Sequence, residues 1–307
     1  MNKAKITIVI PVKDRAGIVG ATLDSVRKQR LRPLDVIVVD NNSTDDTLAL
    51  LNEWKEHCEG PELRITVLSE PTPGAAAARN RGLAEVTTPY TMFFDSDDIM
   101  TPNHVRRAVD ALDRGYDIVG WDVTIHGPKQ KKARHRFYDK NPLWHNLMHA
   151  SLATQRYAAR TELFRAVGAW NPDDHGWDDI ELGTRLLLTS PRLYKIKGDI
   201  TVNVIYRVNS ITGEAFSPGA ERWEKSLDLI EASLRQASRP VEAVDLRRAH
   251  LAGLYAAEGS TEDAVRLMRR VKERYHGAKR LAMLFAFRYT ALGGRGLGRF
   301  MAPFIKL

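Results

Sequence analysis

Cysteine is almost missing from this chain: Cys58 stands alone among 307 residues. That excludes an intrachain disulfide and any thiolate metal cluster, both of which need several sulfurs. A reducing compartment is the economical expectation, and Cys58, with no base near it in sequence, reads as an inert thiol rather than a nucleophile. Long apolar runs are missing as well. No unbroken stretch reaches membrane-spanning length, and the start, Met1-Asn2-Lys3-Ala4-Lys5, runs into an apolar segment too short for a signal-peptide core. The expected location is therefore cytoplasmic, with the inner face of the cell membrane as the place where the chain would touch a bilayer without crossing it. Glycine and proline, 21 and 14 residues, are neither enriched nor periodic, which excludes collagenous and low-complexity architectures. Acidic side chains are absent from residues 277–307, although Lys and Arg are not.

What is present fits a globular enzyme-sized chain. Hydrophobic residues make up 43%, enough to fill one large domain, or one ordinary domain with an appendage. The net charge of +8 suits polyanionic partners, a membrane surface or phosphorylated small substrates. Lys129, Lys131, Lys132, Arg134 and Arg136 concentrate part of it in one stretch.

The first half alternates strand and helix signals. β-branched or aromatic runs at residues 6–10, 36–39, 64–68 and 90–94 read as buried strands, and residues 18–29, 46–57 and 75–84 between them read as helices. Such alternation predicts an α/β fold, a mostly parallel central sheet with flanking helices, and ligands beyond the carboxyl ends of its strands. Asp14, Asp40 and the Asp95-Ser96-Asp97-Asp98 cluster all fall at that edge. Residues 117–125 read as a further strand, 126–146 as a basic, aromatic loop, and 160–166 and 178–188 as helices. After residue 217 helical periodicity takes over at 221–236, 240–258 and 261–275, so the expected boundary divides a domain of residues 1–217 from a C-terminal helical appendage of 218–307. Residues 278–289 are apolar with basic flanks. They suit equally an interfacial helix on anionic lipid or a helix docked on the domain of residues 1–217 with a solvated positive face.

The chemistry-bearing residues lie in three groups. Side chains two apart on an extended chain share a face, so Asp95 and Asp97 can serve one assembly, and hard divalent cations such as Mn2+ or Mg2+ take oxygen ligands of this kind. Pro73-Gly74 opens a small-residue helix that carries Arg79, suited to phosphate or to an acidic side chain. Gly176-Trp177-Asp178-Asp179 puts carboxylates at a helix start beside an aromatic ring, where one carboxylate can act as a general base and Trp177 can exclude water or stack on a sugar. Glu181 stands one turn before Arg185 and can simply pair with it.

Taken together, Val9-Ile10-Pro11-Val12-Lys13-Asp14, Val38-Val39-Asp40-Asn41-Asn42-Ser43-Thr44-Asp45, the run from Gly74 through Arg79-Asn80 to Gly82, Phe94-Asp95-Ser96-Asp97-Asp98 and Trp177-Asp178-Asp179-Ile180-Glu181-Leu182 resemble the inverting glycosyltransferase family 2, with its GT-A fold. The resemblance implies that Pro11, Val12, Asp14 and Asp40 meet the nucleotide, with Asp40 at the base. It further implies that Arg79 lines the donor pocket, that Asp95 contacts the nucleotide sugar and that Asp97 ligates the metal. Asp179 matches the family's catalytic aspartate, and Asp178 stands where the family has glutamate. Ile205-Tyr206-Arg207-Val208-Asn209-Ser210 resembles a later segment of the family in which histidine commonly occupies the position of Asn209, which leaves Arg207 as the phosphate-binding candidate.

The implied partners are a nucleotide sugar, with uridine favoured, and a glycan, lipid-linked or protein acceptor. Three other functions share parts of this pattern. A nucleotidyltransferase also uses an α/β sheet and acidic metal ligands but has no need of Asp178-Asp179. A noncatalytic membrane-associated scaffold would suit the basic tail but not the separate acidic positions. Nucleic acid is set aside because the acidic rim repels a phosphate backbone and the basic stretch carries no recognised binding fold.

Overall fold

The computed structural model describes residues 3–127, 132–205, 215–302 and 305. The chain divides into two compact units, one of Met1–Lys140, Leu152–Pro172 and Thr189–Tyr206, the other of Asn141–Ser151, Asp173–Leu188 and Arg207–Leu307.

The first unit begins β1 (Ile6–Val12), α1 (Val19–Arg27), β2 (Leu34–Asp40), α2 (Thr47–Cys58), β3 (Leu63–Ser69), α3 (Ala75–Ala84) and β4 (Tyr90–Phe93). All of β2 and nearly all of β1 are buried. This is why they read as continuous apolar runs rather than alternating ones: helices cover both sheet faces. The chain continues through β5 (Ile99–Met100), α4 (His104–Leu112), β6 (Ile118–Gly120), β7 (Val123–His126) and β8 (Lys132–His135). After α5 (Pro142–His149) come β9 (Tyr157–Arg160) and α6 (Thr161–Ala166), then α7 (Asp178–Leu188), β10 (Leu193–Lys195) and β11 (Val202–Ile205). Helices α5 and α7 belong to the second unit.

Seven strands form one sheet in the order β10-β6-β9-β4-β1-β2-β3. The class is α/β with flanking helices, but the sheet is mixed: β9 runs antiparallel to both β4 and β6 while the other pairings are parallel. A second sheet has the order β5-β11-β7-β8. The single strand expected over residues 117–125 is broken between the two sheets. At the break, Trp121 N–H donates to the Arg156 carbonyl at 3.1 Å, and the buried Asp122 carboxylate accepts the Phe137 N–H at 2.8 Å and pairs with Arg134 and Lys195 at 2.6 and 2.7 Å. A carboxylate so enclosed needs these cations, and satisfying them turns the chain out of the first sheet. The basic stretch expected as a loop instead supplies β8 and α5, with Lys129 and Lys131 outside the described residues.

One close approach sets α3 against the sheet. A Cβ on Gly82 would lie 2.5 Å from Val9 Cγ1 and 3.2 Å from Val39 Cγ2. With hydrogen there instead, the helix lies tight on β1 and β2, and Arg79, one turn earlier, is carried to the carboxyl edge of the strands.

The second unit is helical: α5, α7, α8 (Ala220–Gln236), α9 (Glu242–Ala257), α10 (Thr261–Arg274), α11 (Gly277–Ala291) and α12 (Leu297–Met301). Its core joins Trp144 and Leu147 of α5 and Ile180 of α7 to Trp223, Leu227, Leu246, Leu251 and Leu267. Within it the buried Arg248 guanidinium meets Asp228, Glu231 and Asp245 at 2.8, 2.6 and 2.7 Å. Burial pushes the Glu231 carboxyl up, but Arg248, Arg235 and Arg274 together bring it down to about 2.

Candidate active site

The carboxyl edge of β4, β1 and β2 is built from loops that hold one another. Pro11 and Val12 at the end of β1 sit beside Val39 and Asp40 in parallel register. Asp14 follows with φ 49°, a left-handed conformation that aspartate tolerates better than most residues. Its Oδ1 accepts the Thr44 N–H and hydroxyl at 2.7 and 3.2 Å, and its own N–H donates to Ser43 Oγ at 3.0 Å. Arg15 N–H donates to Thr47 Oγ1 at 2.8 Å and Ala16 N–H to Asp45 Oδ2 at 3.1 Å. The Thr47 hydroxyl, with the backbone donors, holds the Asp45 carboxyl below its usual range. The loop after β1 is thus fastened to the loop after β2.

Asp40 is 4% exposed. Its Oδ2 accepts the Ser43 N–H at 3.3 Å, whereas its Oδ1 is buried with no hydrogen-bond partner among the described residues. A buried carboxylate oxygen of this kind is costly unless a donor reaches it. The neighbouring Asn41 was not singled out by the sequence reading, yet it organises the next loop. Its amide donates to the Glu70 and Thr72 carbonyls at 2.9 and 2.7 Å and its Oδ1 accepts the Gly74 N–H at 2.8 Å. Gly74 has φ 129°, a region closed to other residues, and begins α3.

On α3, Arg79 pairs with Asp95 Oδ1 at 3.2 Å and stacks over Trp170, its Cζ 4.3 Å from the ring centroid. Asn80 fixes that ring's backbone, donating to the Trp170 carbonyl at 2.8 Å and accepting its N–H at 3.0 Å. Trp170 itself packs edge-on against Phe93 with centroids 5.3 Å apart. Four residues of the sequence-derived set, Pro11, Val12, Asp40 and Asp14, therefore share the end of β1 and β2, while Arg79 and Asp95 form a pair at the end of β4. Asp95 and Asp97 are partly exposed, but Ser96 and Asp98 are buried. Asp98 is structural: its Oδ1 accepts the Ile205 N–H at 3.0 Å, and the Thr22 hydroxyl lies 2.8 Å from its carbonyl.

Trp177, Asp178 and Asp179 belong to the helical unit. Asp178 Oδ1 accepts the Asp179 N–H at 2.9 Å as α7 starts. The Arg247 guanidinium covers Trp177, 4.1 Å from its centroid, and Trp223 lies 5.0 Å away. Glu181 is engaged by Arg185 through two bonds of 2.7 and 2.6 Å. The loop before α7 depends on two residues that sequence reasoning missed. Trp177 N–H donates to Ser226 Oγ at 2.8 Å, Ser226 donates to Asp174 Oδ1, and Gly176 N–H donates to the same oxygen at 3.0 Å. Burial pushes the Asp174 carboxyl up to about 6, against the pull of those donors and with help from Asp178 and Glu181. Arg207 lies outside the described residues.

Among the described residues no three His, Cys, Asp or Glu side chains form a group able to hold a metal. Mg2+-like ions in phosphate sites commonly use one or two carboxylates and take their other oxygens from the substrate and water. The partly exposed Asp95 and Asp97 suit that arrangement, not a cage made by protein alone.

The sequence profile of Glycosyl transferase family 2 matches residues 7–170, more than half of the chain and all of the rim just described. The chain belongs to glycosyl transferase family 2. Among the relatives of this family 2 protein are the succinoglycan biosynthesis protein ExoW of Rhizobium meliloti, 36% identical over 118 residues, and the amylovoran biosynthesis glycosyltransferase AmsB of Erwinia amylovora, 30% identical over 114 residues. These matches span 36% and 37% of this chain and only 35% and 38% of the relatives. In fold, it is similar to Staphylococcus aureus TarS 1–349 solved with UDP-GlcNAc: TM-score 0.69 at 15% identity, over 97% of this chain and 92% of that one. It is also similar to the mannosyltransferase PcManGT of Pyrobaculum calidifontis, solved with GDP-Man and Mn2+: TM-score 0.54 at 18% identity, over 99% and 88%.

Proposed function

We propose that this family 2 protein transfers a sugar from a uridine diphosphate sugar to a hydroxyl of a growing surface polysaccharide, with inversion at the anomeric carbon. The observation that carries the reading is the buried Asp40 Oδ1, an acceptor without a donor among the described residues, at a strand end beside Pro11 and Val12. A uracil imide N–H is a donor of the right kind. The polysaccharide acceptor is suggested by the names of the succinoglycan and amylovoran relatives.

In this reading Arg79, braced by Trp170 and Asp95, lines the donor pocket, and Arg207 serves phosphate. Mn2+ or Mg2+ at Asp97 would neutralise charge on the departing diphosphate. Asp179 accepts the acceptor's hydroxyl proton as that oxygen bonds to the anomeric carbon and the bond to the diphosphate oxygen breaks on the opposite face. Asp178 and Trp177 support Asp179 at the start of α7.

The test is a screen of nucleotide sugars with Mn2+ or Mg2+, reading released nucleoside diphosphate for wild type, Asp97→Ala and Asp179→Ala. Asp97→Ala is expected to lose metal-dependent donor use, and Asp179→Ala to lose turnover while still binding donor. Release of pyrophosphate from a nucleoside triphosphate and a sugar phosphate, with no diphosphate released from any nucleotide sugar, would replace the proposal with nucleotidyl transfer.

A further inference from the structure

Helix α11 has two faces, and the chemistry above uses neither. The inner face, Met283, Ala286 and Thr290, is buried and packs against α9. At the crossing, a Cβ on Gly253 would lie 2.6 Å from the Phe287 carbonyl oxygen and 2.6 Å from Thr290 Cβ. Backbones this close leave α11 seated on its unit, not hanging from it. The opposite face carries Leu281 and Phe285, continued by Leu292 at the cap just past the helix end; the three are 68%, 52% and 88% exposed. With Arg288 they fall at i, i+4, i+7 and i+11, which is one stripe of a helix.

The charge of the segment itself has one sign. Residues 277–307 contain Lys279, Arg280, Arg288, Arg295, Arg299 and Lys306 and no acid. Lys279 is answered by Glu242 of α9 at 2.7 Å, whereas Arg280, Arg288 and Arg295 are exposed and make no ion pair among the described residues. A docked helix with a merely solvated positive face has no reason to expose Leu281, Phe285 and Leu292 among its arginines. Exposed apolar side chains rimmed by unmatched cations fit a surface that is apolar below and anionic above.

We infer that α11 rests on an anionic lipid bilayer, with Leu281, Phe285 and Leu292 in the headgroup boundary and Arg280, Arg288 and Arg295 against lipid phosphates. No helix among the described residues is long and apolar enough to cross a membrane, so the contact is with one leaflet. Of the two readings open at the level of sequence, the packing on α9 answers to docking, on the helical unit itself, and the lipid contact is the inference. The inference is independent of the donor and of the reaction.

The test is flotation of the full chain with vesicles of phosphatidylcholine alone or mixed with phosphatidylglycerol, without donor or acceptor. Binding is expected to the mixed vesicles only, to weaken with salt, and to fall by roughly tenfold or more in Phe285→Glu and in Leu292→Glu. Phe285→Leu is expected to keep it. Both sites are exposed, so thermal melting should match wild type and separate lost binding from lost folding. Absence of wild-type flotation overturns the inference. So does flotation unchanged by Phe285→Glu and Leu292→Glu, which is plain polyanion attraction of the sort RNA would share. A concentration-dependent dimer, dissolved by Phe285→Glu and accompanied by no vesicle binding, assigns the face to a second copy instead.

Discussion

Replacing Asp40 by Asn separates nucleotide recognition from stability, because the two effects have opposite signs. Among the described residues the carboxylate has one long bond, Ser43 N–H to Oδ2 at 3.3 Å, and a buried Oδ1 with no partner. A ligand N–H reaching Oδ1 would make a charge-assisted bond of about 1.5–3 kcal/mol, which converts to roughly 10- to 150-fold in affinity. In Asp40→Asn the amide oxygen turns toward Ser43 N–H and leaves the NH2 facing the ligand. Donor then meets donor, and the bond is lost. The folded protein, in contrast, is relieved of a buried charge with few partners, so its melting temperature should hold or rise. Calorimetric titration with UDP and with CDP provides the assay. UDP affinity is expected to fall by about 10- to 150-fold. The preference for UDP over CDP should narrow as well, since cytosine presents an acceptor where uracil presents a donor. Equal UDP affinity in wild type and variant would refute the reasoning, as would a loss of affinity that merely tracks a loss of stability.

Two further expectations concern the supports of the site. Asp174 is a carboxyl raised by burial from 3.8 to about 6: the folded state keeps the proton longer than the unfolded state, so this group's contribution to stability is fullest below its ordinary range and declines as pH climbs to about 6. Asp174→Asn should therefore gain on wild type by on the order of 2–3 kcal/mol between pH 3 and pH 7.5 in urea unfolding, and a difference that stays flat with pH would dismiss the argument. Gly82→Ala puts a methyl 2.5 Å from the buried Val9 Cγ1. It should lose a net ~1–2 kcal/mol, overpacking outweighing the better helix propensity of alanine, and an unchanged urea midpoint would show that α3 can shift freely.

The first four strands and α3 were legible because their patterns are local. Residues 75–84 give the observed limits of α3, with Pro73-Gly74 before it, and β2 extends its apolar run only to Leu34 and Asp40. β9 was not legible: Tyr157-Ala158-Ala159-Arg160 is four residues long, with nothing in it to fix the direction of pairing. The break at Trp121 and Asp122 depends on Phe137, Arg134, Lys195 and Arg156, which are distant in sequence. The acidic rim was visible as types of residue at strand ends, but its supports were not. Asn41 and Trp170 were not singled out, and Asp174 and Ser226 meet across 52 positions. Hydrogen bonds of that separation leave no periodic mark in a sequence.

The makeup of the helical core bears on how the chain matures on the ribosome. Trp144, Leu147 and Ile180 emerge early, yet the apolar surface that covers them comes from α8 to α11. At roughly 5–20 residues per second, synthesis must continue for about 5–20 seconds after Ile180 before the last of these helices is available. During that interval two amphipathic helices are on display without their natural cover, so newly made chains are a target for holding chaperones, and slowed translation past Leu188 should lower the yield of folded protein.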